Sequence, residues 1–307
     1  MAKLISKNKA KQFHTFLQTY IFNGSLKSFR SFRGGNSSYC FFATTETENW
    51  VAKILLGEYI PSKIHTYLAT QTSKHPVLCG IKMDKIFEYE GKTCTLQKNY
   101  GKPLPRRYFS TELIKQIFTE YRAITHLSTK YQSVDKEYNP RHKIELYQQT
   151  LQILSTQKNW HSKLLLHLLL KINPETLIFK KENLCIIHGD FNNNQVLLKE
   201  GKLSAFIDWD SLRTGYPTED CWEFIYFNLR HLYNPLMYNY WRRRIVSQVT
   251  SVMKYSYEEW QTAINSMLIS WLYRLSQPKE YKLKRLIKFL YLYYISTKTL
   301  KQIKKQS

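Results

Sequence analysis

No stretch of this sequence stays apolar for the roughly 18 residues that a membrane-spanning helix needs. The longest candidate, residues 164–170, is interrupted by His167 and reads as a buried helix. Cysteine is scarce: five residues, an odd number, with no Cys-x-x-Cys pair. That pattern argues against a disulfide framework and for a reduced cytoplasmic protein whose thiols are small buried apolar groups. The basic start, residues 1–12, is followed by no apolar segment of the kind a secretory signal carries. Acidic residues are few, 23 Asp and Glu against 46 Lys and Arg, for a net charge of +23. So large an excess suits a solvated lysine-rich surface or an anionic partner: a nucleotide, a phosphorylated glycan, a lipid headgroup or a nucleic acid. No internal repeat, low-complexity tract or recognisable nucleic-acid module is present.

What is present is core material for one large domain or two lobes: 307 residues, 43% of them hydrophobic, with 16 Phe, 23 Tyr and 7 Trp. Strands are expected over 26–32, 39–44 and 50–55, joined by the turns 33–38 and 45–49. A short helix over 64–72 and two further strands, 81–89 and 93–98, follow. Gly101-Lys102-Pro103-Leu104-Pro105 ends regular structure and reads as a hinge. Beyond it Ser110 caps a helix with Glu112 in its first turn, and Leu113, Ile117, Tyr121, Ile124 and Leu127 fall on one face. Segments 143–154 and 161–171 are also helical in pattern, as are several between 219 and 304.

The chemistry concentrates between them. The apolar run Leu184-Cys185-Ile186-Ile187 delivers His188-Gly189-Asp190-Phe191-Asn192-Asn193-Asn194-Gln195, and Phe206-Ile207-Asp208-Trp209-Asp210 follows. A carboxylate beside a hydroxyl can orient it and take its proton during phosphoryl transfer, which makes Asp190 the candidate base. His188 is expected to brace the loop by packing and backbone hydrogen bonds. Strands 196–198 and 203–207, turning at Glu200-Gly201, bring Asp208 back towards Asn193 and Gln195. Magnesium takes hard oxygen ligands, and a carboxylate with an amide carbonyl supplies them. Alternation in Trp50-Val51-Ala52-Lys53-Ile54 points Val51 and Lys53 to one face.

This set of motifs, spread over residues 26–230, resembles the aminoglycoside phosphotransferase and choline kinase superfamily, in its small-molecule or glycan kinase branch. The resemblance implies an α+β, bilobal, protein-kinase-like fold. An N-terminal antiparallel-sheet lobe (1–98) would bind nucleotide. A hinge (99–104) would join it to a larger, mostly helical catalytic and acceptor-binding lobe (105–307). It further implies that Gly34, Gly35, Asn36 and Ser37 cover the phosphates and that Lys53 pairs with the α- and β-phosphates. Backbone groups of Gln97, Lys98, Asn99 and Tyr100 would hold adenine. Gln195 and Asp208 would ligate Mg2+, and Asp220 would brace the catalytic loop. The cosubstrate implied is ATP, with GTP as alternative. Two departures stand out. Gln195 replaces the family's Asn, with Asn194 a competing ligand, and Glu58 is the only acid between Lys53 and Asp84 able to steady the lysine.

The implied activity is transfer of a γ-phosphate to a hydroxyl of a sugar, phosphosugar, lipopolysaccharide core glycan or amino alcohol. The alternatives are a non-catalytic nucleotide-binding protein and a choline or ethanolamine kinase, for which Trp222, Tyr226, Trp241, Trp260 and Trp271 are cage candidates, although helix core is the plainer role. From Cys221 onward 15 Lys and Arg face 4 Glu and no Asp, a balance unsuited to polycationic aminoglycosides. Arg242-Arg243-Arg244 and Lys282-Leu283-Lys284-Arg285 suit an anionic acceptor, or peripheral contact with the anionic inner face of a membrane.

Overall fold

The computed structural model describes residues 5–32, 38–56, 63–105, 110–129, 141–178, 184–230, 232, 234–277 and 283–306. In chain order these form α1 (Lys7–Phe16), β1 (Ser28–Phe32), β2 (Ser38–Thr44), β3 (Asn49–Leu55), α2 (Lys63–Thr70), β4 (Lys85–Tyr89), β5 (Lys92–Lys98) and β6 (Lys102–Pro103). Helices α3 (Thr111–Thr129), α4 (His142–Thr156) and α5 (Trp160–Leu169) come next. After them run β7 (Cys185–Ile187), β8 (Val196–Lys199), β9 (Lys202–Phe206) and β10 (Arg213–Gly215). The last four helices are α6 (Pro217–Leu229), α7 (Pro235–Met253), α8 (Tyr257–Ser276) and α9 (Leu283–Lys304). The fold is α+β, with the five-stranded sheet in one compact unit and most of the helices in the other. The first unit comprises 1–102 and 197–208, the second 103–196 and 209–307.

In the first unit five strands form an antiparallel sheet in the order β1-β2-β3-β5-β4. Alternation turns Phe41 and Ala43 of β2 and Ala52 and Ile54 of β3 inward, where they meet Cys94 and Leu96 of β5. Helix α1 covers this face with Phe13, whose ring lies 5.0 Å from Phe41 and 4.9 Å from Tyr89. The basic residues of this segment hide a helix from sequence reading: Ala10, Phe13 and Leu17 repeat at helical spacing, and Ser6 caps the start. The strand expected over 81–89 is shorter than that. Pro76–Ile81 is a 3-10 turn and only Lys85–Tyr89 is strand. The turn comes close to β9: a Cβ on Gly80 would stand 2.0 Å from the Phe206 carbonyl oxygen, so only glycine fits.

In the second unit Ser110 caps α3 as expected, accepting from the Leu113 N–H at 3.1 Å. The buried face is rotated slightly from the expected one, to Ile114, Ile117, Phe118, Tyr121 and Ile124. Tyr121 stacks on Phe191 at 4.6 Å, Phe118 meets it edge-on at 6.1 Å, and Phe224 of α6 lies 5.1 Å from Phe118. The aromatic ring set thus anchors the segment after Asp190 from two helices. Trp222 and Trp260 are wholly buried and Trp241 nearly so, which makes these three indoles helix core, not a cage for a cation.

Candidate active site

The first unit brings Lys53 to Asp208. Ala52 and Ile54 face the core, so Lys53 faces away from it, as alternation requires. Its Nζ lies 3.1 Å from Asp208 Oδ1, with the lysine side chain only 16% exposed and the carboxylate 42%. Asp208 ends the hairpin of β8 and β9, whose turn residues Glu200 and Gly201 have φ of +53° and +78°, the pair of left-handed conformations that a tight hairpin turn demands. Asp208 itself has φ +66°, an unfavourable conformation for a residue with a Cβ and one that functional positions often retain.

The segment implicated in adenine binding is partly spent inside the protein. Gln97 is buried, and its side-chain amide donates to the carbonyls of Gly80 (2.5 Å) and Lys82 (3.3 Å). The Lys98 N–H goes to Asp84 at 2.8 Å and the Asn99 N–H to the Asn49 carbonyl at 2.8 Å. The Tyr100 carbonyl accepts from the Ser204 hydroxyl at 2.6 Å. These bonds engage the Lys98 and Asn99 N–H groups and the Tyr100 carbonyl within the first unit. Gly34, Gly35, Asn36, Ser37 and Glu58 lie outside the described residues.

The second unit builds the loop around Asp190. Its Oδ1 accepts from Asn192 Nδ2 at 3.0 Å and its Oδ2 from Gln195 Nε2 at 3.4 Å. Glu223 on α6 is the third neighbour, hydrogen-bonded to Asp190. Burial first, then the charges of Asp220 and Asp190, push its carboxyl up to about 9. Glu223 therefore carries a proton at neutral pH.

Asp220, one helical turn before Glu223, holds the loop from beneath. It accepts from the backbone N–H of His188 (2.7 Å) and of Gly189 (3.0 Å) and from the Tyr121 hydroxyl (2.6 Å). Burial raises its pKa to about 6, opposed by the Tyr121 bond and the Arg213 charge. Gly189 has φ +82°, and a Cβ there would meet the Ser211 carbonyl at 2.1 Å. His188 is fully buried, its ring 4.6 Å from Trp209. It supports the loop through packing and its backbone N–H, and its ring lies away from solvent.

The metal candidates can be judged on their oxygen atoms. Gln195 Oε1 is buried with no hydrogen-bond partner, a costly arrangement that a cation would relieve. Asn194 is exposed. Gln195 therefore fits a hard cation better than its neighbour, and its extra methylene does not prevent a buried carbonyl. Asp208, in the first unit, supplies a half-exposed carboxylate. Sequence reading missed Asn192 and Glu223. For Glu223 a signal existed: three residues after Asp220 on a helix places it on the same face.

Residues 123–244 match the family model described as "Phosphotransferase enzyme family". No curated protein matches the chain. Among solved structures it is similar to spectinomycin phosphotransferase in complex with ADP and spectinomycin (13% identity, 98% of this chain and 100% of that one, TM-score 0.64). It is also similar to the GDP complex of aminoglycoside 2'-phosphotransferase-IIIa (13% identity, 94% and 98%, TM-score 0.61). A third is choline kinase from Cryptosporidium parvum Iowa II (11% identity, 96% and 95%, TM-score 0.57). At such identities the likeness speaks for the fold. The likeness gives the chain the kinase-like fold of these phosphotransferases, and the family match over residues 123–244 takes in the Asp190 loop.

Proposed function

We propose that the protein transfers the terminal phosphoryl group of a magnesium nucleotide, ATP in the first instance and GTP as alternative, to a hydroxyl of a small molecule or glycan. The observation that carries this reading is the Asp190 loop: a carboxylate fixed on both oxygens by amides, on a backbone clamped by a buried acid. Such a group can orient an acceptor hydroxyl and take its proton as the new P–O bond forms and the bond to the leaving nucleoside diphosphate breaks. Lys53 would turn from Asp208 to the α- and β-phosphates. Gln195 and Asp208 would hold the divalent cation, whose contribution is to neutralise phosphate charge. Glu223 keeps its proton and donates to Asp190.

The test is phosphotransfer from labelled Mg-ATP and Mg-GTP across sugars, phosphosugars, lipopolysaccharide core oligosaccharides, amino alcohols and aminoglycosides. Transfer to one class, abolished by chelating the divalent cation, is the expected result. Nucleotide binding without transfer to any acceptor would instead favour a non-catalytic nucleotide-binding protein, the reading to which Gln195 in place of Asn lends itself.

Lys53→Ala is expected to raise the KM for nucleotide about tenfold or more, the order of effect that loss of a charge-assisted phosphate contact produces. Unchanged nucleotide kinetics would remove Lys53 from the site.

Among the described residues no helix is long and apolar enough to cross a membrane. A cytoplasmic setting, where nucleoside triphosphates are abundant, suits the reading. Peripheral contact with an anionic membrane face belongs to the proposal as well: α9 exposes Leu283 and Ile287 beside Lys284, Arg285 and Lys288.

A further inference from the structure

The lysine and arginine clusters expected to meet an anionic acceptor do not all face outward. Arg242 is buried, and its guanidinium donates to the Lys298 carbonyl (3.0 Å) and Gln302 Oε1 (2.7 Å). It joins α7 to α9. Arg244 donates to the Tyr240 hydroxyl at 2.8 Å. A different basic site lies where α4 packs on α8. A cavity of about 450 Å³ opens there, lined by His142, Lys143, Ser270, Tyr273 and Arg274, with Glu145 as its one carboxylate.

Lys143 is the unusual member. It is half-buried, and its ammonium donates to the neutral Ser270 hydroxyl at 2.7 Å. Among the described residues no carboxylate lies within ion-pairing distance of it. Burial chiefly, helped by the like charges of Arg213 and Arg274, holds its pKa below the ordinary lysine value, with Glu219 opposing. The acid that reaches it is already committed: Glu219 pairs with Arg213 at 2.7 Å and accepts the Tyr216 N–H at 3.1 Å. Drawing an ammonium out of water without a carboxylate partner costs stability. Three cations within electrostatic reach of one another add to that cost. Both costs reverse when an oxyanion enters.

The cluster is also linked to the chemistry. Arg213 feels the charges of Asp220 and Glu223, and Glu223 is hydrogen-bonded to Asp190. Arg213 thus lies within electrostatic reach both of the Lys143 cluster and of the acids on α6 beside the Asp190 loop.

We propose that the cavity between α4 and α8 seats an oxyanion of the acceptor, a phosphate monoester or a carboxylate, through Lys143 and Arg274. The proposal rests on the phosphotransfer reading and adds the acceptor's charge to it. An already anionic acceptor is selected by paired cations here, and polycations are repelled by the same charges.

The test is calorimetric binding of defined probes to the full chain without nucleotide. The phosphate arm is glucose 6-phosphate, ribose 5-phosphate and glycerol 3-phosphate. The carboxylate arm is glucuronate and galacturonate, and the neutral arm is the parent sugars and glycerol. The expected result is binding in one anionic arm and none in the neutral arm, weakened by salt. Affinity should fall about 10- to 100-fold in Lys143→Met and in Arg274→Gln, as loss of a charge-assisted contact implies. Arg274 is exposed, so that variant folds even if Lys143→Met does not. No anionic probe binding, or equal affinity in wild type and Arg274→Gln, overturns the proposal. Anion binding without phosphotransfer to any acceptor leaves the cavity standing and removes the catalytic reading. Turnover of a neutral or cationic acceptor that Arg274→Gln does not affect leaves catalysis standing and removes the cavity.

Discussion

Asp190→Asn is expected to lower kcat about 10²- to 10⁴-fold while nucleotide affinity stays that of the wild type. The side chains are nearly isosteric, so the loop remains. What changes is the chemistry of the two oxygens. Asn192 and Gln195 both present amide N–H groups to the carboxylate. An asparagine there turns one of those contacts into donor against donor and has no site for the acceptor's proton. Single-turnover kinetics separate the two effects: phosphoryl transfer slows, while nucleotide binding, which the reading places on Lys53 and Asp208 in the other unit, does not. A variant with wild-type kcat would remove Asp190 from its role as base.

Asp220→Ala is expected to cost about 3–5 kcal/mol of stability, the range for removing one member of a buried charged network. Three donors lose their acceptor at once: the N–H groups of His188 and Gly189 and the Tyr121 hydroxyl. Each buried, unmatched donor costs about 1–3 kcal/mol. Asn is a poor substitute, because one carbonyl oxygen must serve three donors and the new amide must find an acceptor. Urea unfolding monitored by tryptophan fluorescence reads the loss directly. A change of less than about 1 kcal/mol, the scale of an ordinary single hydrogen bond, would show that the loop is held by other contacts. The pH dependence has a definite sign. Burial raises the Asp220 pKa from 3.8 to about 6. The folded state therefore binds this proton more tightly than the unfolded chain. The contribution of Asp220 is full below about pH 4 and declines as pH rises through 6. The stability gap between wild type and Asp220→Ala should narrow across that window and level off above it.

Much of this was legible in the sequence because the informative residues are neighbours along the chain. Asp190 and Gln195 sit within a few residues, and the loop's geometry is local. Period-two alternation placed Lys53 on the face away from the core, and Glu200-Gly201 placed the hairpin turn. Helix α1 was not legible because its lysines obscure a face made of only a few apolar residues. Glu223, whose spacing from Asp220 was its only signal, and Lys143 went unread as site residues for a different reason. Their character comes from burial, and burial depends on how α4, α6 and α8 pack. A glutamate's ability to keep its proton near pH 9 is a property of its surroundings. The same holds for Arg242, which reads as one of three surface arginines and turns out to be the bond between two helices.

The path of the chain between the two units bears on how the protein is made. Residues 1–102 are joined by 197–208 to complete the first unit, and 103–196 lie between. On the ribosome the sheet emerges early, but the strand that fills in beside Gly80 and carries Asp208 does not. At about 5–20 residues per second the wait is on the order of ten seconds. During it the Lys53 ammonium lacks its Asp208 partner, and the groove over Gly80 that admits Phe206 is empty. The first unit is thus born incomplete and is finished by a segment that crosses over and returns. No single cut of the chain yields both units whole, so fragments made for expression should keep the hairpin with the residues that precede it.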